Sequence, residues 1–500
     1  MIRKITLLLF ALFTSVTFAQ TVNIESDPYG GNPYATITDA VAAANDGDVI
    51  LISGIHTGLV SVNKSITLRG EDPTTDILQA AETPSNDGTG TRVLSLARLE
   101  SDVLNITIEN LGIRHGNAGA SVNGGGIDSD KITGLLTLRN LIIENNYTAR
   151  NGGGVSLAGS NVEMISCIIR NNSAALDGGG VLAAPNNASG VNSNIKIKQS
   201  LISNNVGRNG GGFYINGNNG FGNNFTINVD IENTTVANNS TFSVVSGNGG
   251  GAIFAASALW TGDGATSNIT LKLVHTTFNN NFHASANKAG LQFAGVGLTN
   301  FSAYNSIIVN TNEIATKALN FANTNTTNVV NCILGGLNAP PALIDEEGKN
   351  NLKGRTATQS GISTTLSDEG GNTLVLALAA ETTGVDFCTA DTGIEIPTVD
   401  QRGYGRTEIQ DAGAYEFSGT LSNNNNSLAQ IKLYPNPAKD SFNISGFDQV
   451  NTVKVYSLQG RLEKEFVNQN QYNVSDLSKG LHIVVIQNNK QSFIEKIVIE

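Results

Sequence analysis

Four side chains in this sequence are best placed by type to do chemistry: Asp128, Asp130, Asp177 and Arg150. Carboxylates grouped beside an arginine suit two reactions on polysaccharides. In lyase chemistry several carboxylates hold calcium while an Arg or Lys base removes a proton next to a sugar carboxylate. In glycoside hydrolysis two or three carboxylates lie within about 10 Å of one another. Asp128 and Asp130 follow the glycine triplet 124–126, whereas Asp177 precedes the triplet 178–180. Their unlike places in the repeat do not stack them. Arginines recur more regularly. Arg114 and Arg170 share one phase and Arg150 and Arg208 another, a pattern that solvated corners also produce. The histidines His56, His115, His275, His283 and His482 show no metal-ligand spacing. No Gly-Lys-Ser/Thr phosphate loop, nucleophile elbow or calcium-binding nonapeptide is present. No cofactor is implied, and calcium stays open although no motif indicates it.

The elements that would carry these residues are set by a repeat. Ile142–Asn146 leads to Gly152-Gly153-Gly154-Val155, and Ile168–Asn172 leads to Gly178-Gly179-Gly180-Val181. Leu201–Asn205 leads to Gly210-Gly211-Gly212-Phe213, and Thr235–Asn239 leads to Gly249-Gly250-Gly251-Ala252. Degenerate copies begin at Ile113 and Thr277. The first glycines, at 124, 152, 178, 210 and 249, drift in spacing. Such drift excludes a fixed helical repeat and suits a parallel β-helix, whose loops grow without disturbing the stack. The inserted residues are polar, as in 185–194 and 217–224. Segments such as Val162-Glu163-Met164-Ile165 alternate apolar and polar, the pattern of a strand with one face on a core. Asn145, Asn171, Asn204 and Asn238 are assigned to one corner, where Asn tolerates left-handed backbone and stacked amides bond between coils. Gly153, Gly179, Gly211 and Gly250 are assigned to another, with positive φ expected at Gly179 and close backbone approach between coils.

The expected fold is all-β: a right-handed parallel β-helix over 20–420 with an N-terminal capping helix, then a small β-sandwich over 431–500. The cap is placed in 28–48, where Ile37, Ala40, Val41 and Ala44 share one helical face. The Asn/Gly coils span 105–295, a closing segment 360–418 and a linker 421–430. Asp400, Arg402, Arg406, Asp411 and Glu416 in the closing segment are expected to form an Arg–carboxylate network that staples the last coil. Residues 1–19 read as a signal peptide: Arg3 and Lys4, an apolar run, then Thr17-Phe18-Ala19 before Gln20. No later stretch is long and apolar enough to span a membrane.

Composition narrows the partners. The chain carries a net charge of −12, which excludes a basic nucleic-acid footprint. Losing Arg3 and Lys4 with the leader leaves 28 basic and 42 acidic residues, or −14. That acidity disfavours acidic polysaccharides unless calcium bridges the two. Cys167, Cys332 and Cys388 are too few for a disulfide framework and are expected as small buried side chains.

Four resemblances rest on these motifs. The run Ile431–Ala438, with Tyr434, Pro435, Asn436 and Pro437, followed by Gly460 and Gly480 and ending at Lys496–Glu500, resembles the type A C-terminal sorting domain of type IX secretion in Bacteroidota. That resemblance implies export to the cell surface or medium and contact with the secretion machinery through 431–500. The segment from Thr36 to Gly70 resembles the opening of pectin-lyase-like β-helix proteins, a likeness of fold that includes lyases, hydrolases and non-enzymes. The repeat over 105–295 is similar to that of polymorphic outer-membrane proteins, with Ile, Leu or Val where that family favours Phe. The stretch Leu366–Phe417 is similar to the closing segment of choice-of-anchor Q proteins, with Ala412 where a β-branched residue is usual. Together they imply an adhesin-like or glycan-binding scaffold facing extracellular polysaccharide or a cell-surface protein. The alternative is a polysaccharide lyase or glycoside hydrolase of the pectin-lyase-like fold.

Overall fold

The computed structural model describes residues 20–25, 33–97, 103–185, 192–217, 225–242, 249–257, 267–283, 289–295, 298–311, 317–321, 324–417, 420–421, 432–445, 452–457, 461–467, 469, 471–487 and 492–500. The leader 1–19, the start of the cap, most of both inserted loops, the linker 422–430 and Gly460 lie outside the described residues. The chain divides into two compact units, 1–421 and 422–500.

The first unit is a β-helix-like stack. Among the described residues sheet 1 has eleven strands, with Thr21–Ile24 antiparallel at its edge and the rest parallel. Sheets 2 and 3 have ten strands each, and a short sheet 4 has six. One coil shows the path. Leu135–Arg139 lies in sheet 1, Ile142–Glu144 in sheet 2, Tyr147–Thr148 in sheet 4 and Val155–Ala158 in sheet 3. The next coil starts at Asn161 and pairs in parallel with the first. Alternation decides what faces inward. In Phe225–Glu232 the residues Phe225, Ile227, Val229 and Ile231 are buried and the residues between them are half-buried. Such residues from every coil form one continuous core from Val22 to Ile344.

Helix α1, Ile37–Ala43, lies at the N-terminal end with Ile37, Ala40 and Val41 buried against that core. Thr36 caps its start, accepting the Asp39 amide. Lys64 closes its end: the ammonium donates to the carbonyls of Val41, Ala42 and Ala44 at 2.9, 2.8 and 2.6 Å. Those are the carbonyls that a helix C-terminus leaves without partners.

The two Asn columns of the repeat divide the labour. Asn145, Asn171, Asn204 and Asn238 take φ between 55° and 59°, turning the chain from sheet 2 to sheet 4. The second Asn of each pair points inward. Asn172 donates to the Ile143 carbonyl and to Asn205 Oδ1, and Asn205 repeats this with Ile169 and Asn239. Asn146, Asn172, Asn205, Asn239 and Asn281 form one ladder, each at most 2 % exposed.

The glycine triplet serves three different needs. Its first residue turns the chain: Gly124, Gly152, Gly178, Gly210 and Gly250 have φ of 58° to 76°. The expectation of positive φ at Gly179 is therefore corrected to Gly178. Gly179 is required by space, because a Cβ there would lie 2.5 Å from the Gly211 carbonyl oxygen and against Val206. The third glycine makes room for both backbone and ladder, since a Cβ on Gly180 would lie 2.6 Å from the Gly212 carbonyl oxygen and 3.0 Å from the Asn205 amide. The fourth triplet also shifts by one. Phe213 pairs with Ile253, so Gly250, not Gly249, is the turning residue, and Ala252 takes the third place.

The closing segment differs from expectation in position. It runs along the flank of the stack over five successive coils, at Gln199, Asn233, His275, Asn305 and Asn331. Its apolar residues Ile362, Val375, Leu376 and Leu378, with Ala357 just before it, pack on the outer face of sheet 2 at Ala237, Ile307 and Ile333. The far end of the core is covered instead by the 3-10 turn Ala342–Asp345, where Ile344 is buried.

The second unit has a three-stranded and a four-stranded antiparallel sheet that share one core. Phe442 and Tyr472 of one face Val453, Val484 and Ile497 of the other.

Candidate functional site

The candidate catalytic side chains are each engaged within the fold. Asp128 faces outward from sheet 3 and forms an ion pair with Arg92. Burial pushes its carboxyl up, against the pull of Arg92. Asp130 lies on the same strand, two residues on. Asp177 belongs to a corner column, Asn123–Asn151–Asp177–Asn209, and replaces an Asn in that ladder. Arg208 grips it with two parallel bonds, Nε to Oδ1 at 2.9 Å and Nη2 to Oδ2 at 2.8 Å. That hydrogen bond is the main reason the Arg208 guanidinium is pushed further up. Asp128 pairs with Ser156 and Ser156 with Leu182, so Asp177, in the coil of Leu182, sits two coils away. Two coil steps are about 9.6 Å. Arg150 shares the column of Arg208, with Leu176 between them, and its guanidinium donates to the Ser121 carbonyl. The structure thus brings Asp128 beside Asp130 and sets Asp177 two coils further along the stack. On sheet 2, Arg114 and Arg170 alternate with Glu144, and Arg170 pairs with it at 2.7 Å. Among the described residues no group of three or more His, Cys, Asp or Glu side chains is arranged to hold a metal ion.

The Arg–carboxylate network of the closing segment is closed on itself. Arg406 and Glu416 are fully buried and pair at 2.9 Å. Glu416 also accepts the amides of Thr407 and Asp411. Arg402 pairs with Asp400 at 2.7 Å and lies over the rings of Tyr404 and Tyr415. Asp411 accepts the amides of Asp386 and Phe417, while burial pushes its carboxyl up to about 6. Arg406 also donates to Asn233, which ties the network to the stack. Every one of these carboxylates has its oxygens occupied by donors, an arrangement that positions the segment and leaves no open acid–base pair.

One outward feature was not singled out from sequence. On the outer face of sheet 1, Asn105, Asn161, Asn194, Asn228, Asn300 and Asn325 fall in one column. Leu135 and Thr270 interrupt it. Asn194 donates to Asn161, Asn228 to Asn194 and Asn325 to Asn300, at 2.9, 2.9 and 3.0 Å. The signal was available: Asn161-Val162, Asn194-Ile195, Asn228-Val229 and Asn300-Phe301 each set an Asn before an apolar residue within a strand-like segment.

In the second unit the Tyr-Pro-Asn-Pro run zips onto the last strand, Ser492–Ile499. Asn436 donates to the Lys496 carbonyl and accepts the Val498 amide, both at 2.9 Å. Ala438 and Glu500 extend the pairing. Tyr434 is half exposed, and Gly480 turns at φ 136°. His482 is buried beside Glu463 at 2.9 Å.

Residues 432–500 match the family model of the secretion system C-terminal sorting domain. No curated protein and no solved structure matches the chain. The matched domain is that of type IX secretion, so the protein is exported to the outer surface or beyond it and engages the type IX machinery. Among the described residues no helix is long and apolar enough to cross a membrane.

Proposed function

We propose that this protein is a non-enzymatic, adhesin-like or glycan-contacting scaffold, exported after removal of residues 1–19 and displayed by its sorting domain. The observation that carries this reading is the commitment of the candidate carboxylates to arginine: Asp128 to Arg92 and Asp177 to Arg208. A retaining or inverting glycosidase needs its pair across one bond, and a lyase needs carboxylates converging on one ion. The number of residues between a sheet 3 strand and the next sheet 1 strand varies from coil to coil, two between Ala158 and Asn161 against eight between Ala184 and Ser193, while the paired strands keep register. Variable loops on a rigid stack are where binding residues concentrate.

The test is a polysaccharide panel with calcium present, recording bound protein and new reducing or unsaturated ends. The expected result is binding without new ends. Product formation contradicts the scaffold reading. Silence in both channels contradicts the glycan-contacting part and leaves a protein partner.

A further inference from the structure

We propose that the outer face of sheet 1 is a docking surface for a neutral, linear polysaccharide lying along the stack, one sugar ring to each coil. This rests on the glycan-contacting reading and names its surface and ligand class. The Asn column stands on strands that keep a spacing of about 4.8 Å from coil to coil. An equatorially linked pyranose chain advances by a similar length per ring. A carboxamide offers two N–H donors and two lone pairs. Asn194 spends one donor on Asn161 and one lone pair on Asn228, so a donor and a lone pair remain directed to solvent. Vicinal sugar hydroxyls are donor–acceptor pairs of the same kind. The bonds along the column also hold the amides in place before a ligand arrives, which lowers the ordering cost of binding.

Charge selects the ligand. The neighbouring outward row reads Glu163, Lys196, Asp230, Lys272 in register, alternating in sign and summing to zero. Lys272 pairs with Asp230 at 3.1 Å, and Glu163 pairs with Lys198 at 3.3 Å. In a chain of net charge −12 this face is balanced, which fits an uncharged hydroxylated polymer and offers nothing to a polyuronate.

The test uses the full-length protein with microcrystalline cellulose, chitin and xylan as neutral polymers and polygalacturonate as the charged one. The expected result is binding to at least one neutral polymer, little changed by added salt. The double variant N194A/N228A is expected to bind it roughly tenfold more weakly with an unchanged melting temperature. A second variant, N194T/N228T, keeps a hydroxyl as Thr270 does and is expected to fall between. Undiminished neutral binding in both variants overturns this surface and leaves the scaffold reading standing. New reducing ends overturn the scaffold reading instead. Capture by polygalacturonate alone, failure to bind any neutral polymer, or self-association that the double variant abolishes overturns the proposal.

Discussion

Two Asn columns run along this stack, and they differ in what they leave unspent. The inner column, Asn146 to Asn281, is buried, and its amides are bonded to carbonyls and amides of the coils on both sides. Its polar groups are consumed by the fold. The outer column, including Asn161, Asn194 and Asn228, has the same coil-to-coil bond at a similar length but lies on the outer face, exposed at Asn194 and half-buried at Asn161 and Asn228. The same residue type and the same ladder therefore give stability on one side of the wall and free hydrogen-bonding capacity on the other. A ladder alone is not a functional signal; the valences left over are.

The comparison is broken most severely from inside. Asn205→Ala removes the acceptor of the Asn172 amide groups and the donor to Ile169, leaving buried partners unpaired. A loss of about 3 kcal/mol or more in unfolding free energy is expected from denaturant titration. Gly180→Ala presses a methyl against the Gly212 carbonyl and the same amide and should cost about 1–3 kcal/mol in that assay.

Acid sharpens the contrast, because the inner ladder has no titrating member and the flank does. Burial holds His275, beneath the closing segment, well below 6.5. The unfolded chain therefore takes up a proton that the folded chain resists. This contribution is complete above pH 6.5 and is lost as pH falls below it. Asp411 runs the other way. Its folded carboxyl titrates at about 6 against 3.8 when unfolded, so it adds stability as pH falls from about 6 towards 3.8. His275→Gln should flatten the first trend and keep the second, as read by thermal melts across pH. The smallest effect belongs outside: Asn194→Ala should change stability by less than about 0.5 kcal/mol.

The coils were legible because their demands are local. A left-handed corner calls for Asn, a backbone contact calls for Gly, and a two-sided strand alternates; each leaves a mark in sequence. The role of Gly179 was not legible in detail, because a run of three glycines does not say which turns and which makes room. The fourth triplet misled for a related reason: Gly249 fills the place that Asn209 holds one coil earlier, and Ala252 is tolerated where glycine is usual. The closing segment could be recognised as a unit, with its charged residues, but not placed. Its contacts link residues well over a hundred positions apart, such as Arg406 with Asn233, and no periodicity records them. The outer Asn column recurs at coil spacing, but single Asn residues on a strand face stand out less than the paired Asn at the corners.

Lysine footprinting tests the central claim most directly. Lys196 is exposed beside the outer Asn column. Its acylation rate would be measured in the full-length protein with and without soluble xylan, together with those of Lys131, in the turn after the sheet 3 strand Ile127–Asp130, and Lys317 on sheet 3. The account predicts slower labelling of Lys196 and no change at the other two. Protection of Lys131 or Lys317 with Lys196 unaffected would contradict it.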